Sequence, residues 1–210
     1  MNNRLIDHTL LKAYATTDEI KTLCAEAKEF HFKSVCVNPC FVGLVSSLLQ
    51  KTDTEVCTVI GFPLGANSTA TKVFETIEAI KAGATEIDMV INIGKAKEHD
   101  FTYIEHEIRE VVMAADGKLV KVIMETCYLT DEEKIAVCEA ATRAQANFVK
   151  TSTGFGTGGA VASDVALMKA HIAKTMGVKA SGGIKTKDDL EQMVQAGATR
   201  IGTSAGKNLV

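Results

Sequence analysis

Two lysines sit where a buried strand gives lysine little reason to be. Lys150 closes the short apolar run Phe148-Val149-Lys150 and is followed by Thr151-Ser152-Thr153-Gly154; Lys179 lies in Val178-Lys179-Ala180-Ser181. Burial of an amine suits a nucleophile aimed at a carbonyl carbon. A free lysine, with a pKa near 10.4, is only about 0.04% neutral at pH 7, so such a nucleophile needs desolvation or a neighbouring cation. Lys150 and Lys179 on consecutive strands supply that neighbour. Asp88, in the strand 86–91, and Lys121, in the strand 119–124 that leads to Glu125, add an acid and a third amine. A single strand lysine is better read as reaching out of the sheet or pairing with Asp88 or Glu125. Several lysines and an acid on successive strands favour a Schiff-base site with acid–base support.

Two glycine turns point to a second ligand group. Ser181-Gly182-Gly183-Ile184 and Gly202-Thr203-Ser204-Ala205 each follow a strand, and backbone N–H groups at such turns suit a phosphate. The polar loop Thr151–Gly159, which includes Gly154, adds a third wall or a flexible connection. The five histidines are scattered, and only His8 falls near a strand end, where a structural role is expected. Cys36 ends the second strand and either lines a pocket or is an inert buried thiol. No metal-ligand constellation is visible.

Strand and helix alternate through the chain. Strands are expected at 5–9, 34–38, 55–60, 86–91, 119–124, 148–150, 178–181 and 200–203. Helical patterns follow at 17–30, 39–49, 69–82, 100–115, from 130, 163–175 and 187–195. This spacing belongs to βαβ units of a parallel sheet, and eight units make a TIM-type (β/α)8 barrel over residues 1–210 as one domain. An open doubly wound sheet is the alternative, but Asp7-His8-Thr9-Leu10 lacks its glycine fingerprint. Ala82-Gly83-Ala84-Thr85-Glu86-Ile87-Asp88 and Ala196-Gly197-Ala198-Thr199-Arg200-Ile201-Gly202 echo each other, and Ala144–Lys150 fits the same frame. Asp88, Lys150 and Gly202 therefore hold one position in three units, towards the carboxyl ends of their strands.

A net charge of −3 without long single-sign runs offers no basis for binding nucleic acid or an anionic membrane. No apolar run is long enough for a signal peptide or a membrane span. The six cysteines form no C-x-x-C pair, so reduced thiols without disulfide or zinc, in a cytoplasmic protein, are expected.

The strand segments 86–90, 119–126, 148–155 and 178–184 together resemble the deoxyribose-phosphate aldolases. Asp7-His8-Thr9-Leu10-Leu11 and Gly202-Thr203-Ser204-Ala205-Gly206 extend the resemblance to both ends of the chain. It implies a class I aldolase, an aldehyde-lyase of deoxyribose phosphate catabolism that needs no cofactor or metal and assembles as a homodimer or tetramer. It also implies that Lys150 forms the Schiff base with Lys179 as the perturbing cation. Asp88 would move protons with support from Lys121, and Gly182, Gly183, Gly202 and Ser204 would hold the phosphate. Two departures stand out. The chain ends at Asn208-Leu209-Val210 without the terminal tyrosine of some members, leaving a short closing element after the last strand. Phe155 stands where some members carry a lysine, which shifts phosphate binding towards backbone N–H groups and Lys185. A transaldolase-like Schiff-base enzyme, or a silent barrel that binds a phosphosugar or pyridoxal phosphate, are the other readings.

Overall fold

The computed structural model describes residues 3–210. Eight strands, β1 (Ile6–Leu10), β2 (Ser34–Val37), β3 (Glu55–Ile60), β4 (Glu86–Val90), β5 (Leu119–Ile123), β6 (Phe148–Lys150), β7 (Gly177–Ser181) and β8 (Arg200–Thr203), close into one all-parallel barrel in chain order. The expected (β/α)8 architecture is present, and the strand limits match the sequence pattern to within one residue. Outside the barrel run α1 (Thr17–Glu29), α2 (Val42–Leu48), α3 (Thr69–Lys81), α4 (Ile93–Lys97), α5 (Phe101–Ala114), α6 (Asp131–Arg143), α7 (Ala162–Ala170) and α8 (Lys187–Gln195). Their apolar faces and the outward strand residues form a continuous core that includes Ile20, Val35, Ile87, Ile108, Val122 and Ile201.

The internal echo is a repeated helix stop. Gly83, Gln145 and Gly197 all take positive φ (107°, 62° and 111°). In each case the next amide reaches back to the helix, Ala84 to Ala79 O, Ala146 to Ala141 O and Ala198 to Met193 O, at 2.9–3.1 Å. That is the left-handed C-terminal cap, and each strand begins two residues after that amide. Gln145 adopts it without glycine's freedom, at a cost of about 1 kcal/mol. Three helix starts carry reciprocal capping boxes, Thr16 with Glu19, Thr130 with Glu133 and Thr186 with Asp189.

The helical layer differs from the sequence pattern in two places. α4 is an extra turn, opened by Asn92, whose side chain accepts from Lys95 N at 3.1 Å. α7 stops at Ala170, five residues short of the expected end. There His171 Nδ1 bonds Leu167 O at 2.8 Å and satisfies a terminal carbonyl. After β8 the chain forms only a 3-10 turn, Gly206–Leu209, in agreement with the expected short closing element; Leu209 is buried.

Candidate active site

Side chains alternate in and out along a strand, so a barrel interior fills in layers contributed by alternate strands. Here one layer comes from β1, β3, β5 and β7 as Asp7, Cys57, Lys121 and Lys179. The next comes from β2, β4, β6 and β8 as Cys36, Asp88, Lys150 and Gly202. Below them β4 and β8 contribute Glu86 and Arg200. Where most barrels pack branched aliphatic residues, this one holds charges.

The charges form a closed ring of alternating sign. Asp7 Oδ1 accepts from Arg200 Nε at 2.9 Å, and Arg200 Nη2 reaches Glu86 Oε2 at 2.6 Å. Lys121 Nζ donates to Glu86 Oε2 at 2.6 Å and to Asp88 Oδ1 at 2.9 Å. Lys179 Nζ lies 2.7 Å from both Asp88 Oδ2 and Asp7 Oδ2, which completes the circuit. Three carboxylates and three cations balance. Lys150 is the odd cation, attached to the ring through Asp88 Oδ2 at 2.7 Å.

All of these residues are at least 95% buried, so each would prefer neutrality if it stood alone. Several opposite partners reverse that preference. Burial raises the Asp88 carboxyl, but Lys121, Lys150 and Lys179 together hold it well below the usual carboxylate range. Asp7 is lowered against burial by Lys179 and Arg200. Lys179 is raised against burial by Asp7 and Asp88, and Lys121 by Asp88, Cys57 and Glu86. Lys179, beside Lys150, thus keeps its proton.

Lys150 is the one member of this cluster that lines a cleft, of about 290 Å³, at the carboxyl ends of the strands. Gly182, Gly183, Gly202 and Ser204, the residues expected at the phosphate, line it with Lys150, and Gly154 of the polar loop forms a further wall. Gly182 and Gly183 both take positive φ (86° and 83°), a turn that side chains rarely follow. A Cβ at Gly202 would lie 2.9 Å from Ser181 Cβ and 3.0 Å from Lys179 Cε, so a side chain at this strand position would crowd both neighbours. Lys12 and Lys185 are exposed at the cleft, and among the described residues neither has a carboxylate within 4.0 Å. Phe155 forms an apolar wall, edge-on to Phe62 with ring centroids 5.3 Å apart.

Several placements correct or extend the sequence reading. Asp88, Lys121 and Lys179 are mid-strand and fully buried beneath the cleft rather than at its rim, because the interior ring draws them inward. Among the described residues Glu125 pairs with no lysine. It accepts from Thr153 N at 3.1 Å and from Thr153 Oγ1, and so fixes the loop after Lys150. Cys36 is buried and does not line the cleft; Cys36, Cys57 and Asp88 bring ligand-type atoms within 4.8 Å, but Asp88 already accepts from three ammonium groups. His8 is structural, buried and bonded to Glu26 at 2.7 Å. Sequence reasoning passed over Asp7, Glu86 and Arg200 in the ring and Lys12 at the cleft. A charged residue inside each predicted strand was the available signal for the first three.

Comparison with known proteins agrees with this geometry. Residues 4–209 match the family described as DeoC/LacD family aldolase. A deoxyribose-phosphate aldolase of Thermoanaerobacter sp. (strain X514) is 58% identical over 210 residues, covering 99% of this chain and 94% of that protein. Its counterpart from Lysinibacillus sphaericus (strain C3-41) is 59% identical over 204 residues, 97% of this chain and 92% of that one. Among solved structures, the tetrameric deoxyribose phosphate aldolase of Aeropyrum pernix superposes with a TM-score of 0.92 at 34% identity, over 99% of this chain and 88% of that chain. With a lysine-bearing ionic barrel, a cleft at its strand ends and this match along almost its whole length, the chain belongs to the DeoC/LacD aldolase family.

Proposed function

We propose that the protein is a class I aldolase that reversibly cleaves 2-deoxy-D-ribose 5-phosphate into acetaldehyde and D-glyceraldehyde 3-phosphate. One observation carries the assignment of its nucleophile: Lys150 joins the buried ionic cluster to the cleft, and shares one oxygen of Asp88 with the cationic Lys179.

The neutral Lys150 amine adds to the C1 aldehyde and water leaves, giving an iminium. A base removes the proton of the C3 hydroxyl, the C2–C3 bond breaks, and its electron pair moves between C1 and C2 as an enamine. D-glyceraldehyde 3-phosphate departs. Protonation of the enamine carbon and hydrolysis then release acetaldehyde and restore Lys150. Asp88 is held anionic, so it acts as the base that takes protons, with water carrying them to the cleft and Lys121 and Lys179 stabilising the anion. The substrate phosphate lies against the turns at Gly182–Gly183 and Gly202–Ser204, with Lys12 and Lys185 supplying charge and Gly154 the facing loop.

Borohydride reduction in the presence of acetaldehyde tests the assignment. The expected adduct is an N-ethyl group on Lys150, located by peptide mapping; an adduct only on another lysine would sink it. Among the described residues no helix is long and apolar enough to cross a membrane. A cytoplasmic setting agrees with a phosphorylated sugar as substrate. A homodimer or tetramer is supported by the tetrameric A. pernix relative and is checked by sedimentation.

A further inference from the structure

We propose that Arg200 and Glu86, neither of which lines the cleft, are positioning residues that set the pH at which Lys150 becomes reactive through the closed charge ring. The inference rests on Lys150 being the imine-forming amine. Arg200 is 5% exposed and Glu86 2%, and both sit below the layer that carries Asp88 and Lys150. A role in touching substrate is therefore closed to them.

Their surroundings are fully occupied. Arg200 faces Asp7 on β1, Glu86 on β4, the Phe148 ring on β6 at 5.8 Å and Lys179 in register on β7. Glu86 faces Lys121 on β5, Arg200 on β8 and Cys57 in register on β3. Lys150 itself faces Asp88 on β4 and Lys179 on β7, interacts with Cys36 on β2, and opens to Lys12 and Lys185 across the cleft. Lys121 on β5 reaches it through the other oxygen of Asp88.

The ring is neutral with three groups of each sign, and a protonated Lys150 gives the cluster one surplus positive charge. Every ring member alters that balance, however far it lies from the substrate. Removing the Arg200 charge leaves a cluster that is balanced with Lys150 protonated, so the amine is freed at higher pH. Removing the Glu86 charge adds to the surplus, so the amine is freed at lower pH. Removing both restores the original sum. A purely structural role predicts no such opposition of sign.

The experiment measures the rate of borohydride trapping with acetaldehyde, and kcat/KM, across pH for the full chain and its variants. Arg200→Met should move the reactive limb up by about one pH unit and Glu86→Gln down by about one. That is the size expected for a unit charge roughly 10 Å away at an effective dielectric of about 20. The double variant should return the limb towards the parent position, and Arg200→Lys should leave it in place. Limbs that stay fixed, move in the same direction, or fail to return in the double variant overturn the proposal. If Arg200→Met does not fold, Glu86→Gln carries the sign test alone, and a limb that is unmoved or raised overturns it. Peptide mapping of the parent adduct separates the two failures: no adduct on Lys150 overturns the aldolase reading along with the ring's role, whereas an adduct there with unmoved limbs overturns the ring's role alone.

Discussion

The protein buries lysine in two different ways. Outside the barrel, Lys72 of α3 and Glu107 of α5 form a fully buried pair at 2.7 Å, with Lys72 also bonded to Val90 O and Glu107 to Asn92 N beyond the end of β4. There burial wins: it lowers Lys72 and raises Glu107, each against the pull of its partner. Inside the barrel the groups are just as fully buried, yet Lys121 and Lys179 are raised and Asp7 and Asp88 lowered. The difference is the number of partners. One counter-ion does not offset the loss of water, whereas two or three opposite charges around each group do. A pair can brace a fold, but the ring keeps charges ionised where substrate chemistry needs them.

The largest contrast should be in turnover. Lys179→Leu removes the cation beside Lys150 and leaves Asp7 without its partner on β7. Cleavage of deoxyribose 5-phosphate at pH 7 should fall on the order of 10²–10⁴-fold, the usual scale for losing acid–base support, and the reactive limb should move to higher pH. Lys72→Met should change kcat by less than about threefold, since the pair touches neither cleft nor ring. A comparable loss of turnover in both variants would remove the distinction.

Stability should separate the two regions in another way. Breaking the pair with Glu107→Ala leaves Lys72 buried without its paired carboxylate, and should cost about 3–5 kcal/mol in urea unfolding. Replacing both partners, as Lys72→Met with Glu107→Leu, should be neutral or stabilising by up to about 4 kcal/mol. The same exchange in the ring, Lys179→Met with Asp7→Leu, should abolish trapping at Lys150 whatever it does to stability. If the double replacement of Lys72 and Glu107 is as damaging as the single one, the pair is not a simple brace.

The barrel was legible because each strand carries at least one β-branched residue in an otherwise mostly apolar stretch and three of the units share one helix-stop pattern ending at Gly83, Gln145 and Gly197. Lys150, Lys179, Asp88 and Lys121 stood out because charge inside an apolar strand is anomalous. Asp7, Glu86 and Arg200 were equally anomalous, but their meaning depends on residues 114 and 193 positions apart in sequence meeting in the barrel interior. Barrel closure puts β8 against β1, and no local pattern states which residue then meets which. The depth of Asp88 and Lys179 was hidden for the same reason, since register, not spacing, decides who lies beneath the cleft. Lys12 lies in a loop without regular structure, where a sequence offers no direction for a side chain.

The smallest effect is the most diagnostic of partner number, because its sign differs between the two regions. Asp7 titrates below its usual value of 3.8, so its contribution to stability is complete above 3.8 and is lost as pH falls through the lower folded-state value. Glu107 titrates above its usual value of 4.5, so its contribution is complete below 4.5 and is lost as pH rises through the higher folded-state value. Urea unfolding of the parent and of Asp7→Asn should therefore converge only at pH below 3.8. For Glu107→Gln, the advantage of the parent should instead shrink by on the order of 1 kcal/mol as pH rises above 4.5. Two buried carboxylates in one protein would then respond to acid in opposite directions, one ringed by cations and the other facing a single lysine. Parallel pH dependences for the two variants would show that partner number is not what divides the barrel interior from the helical layer.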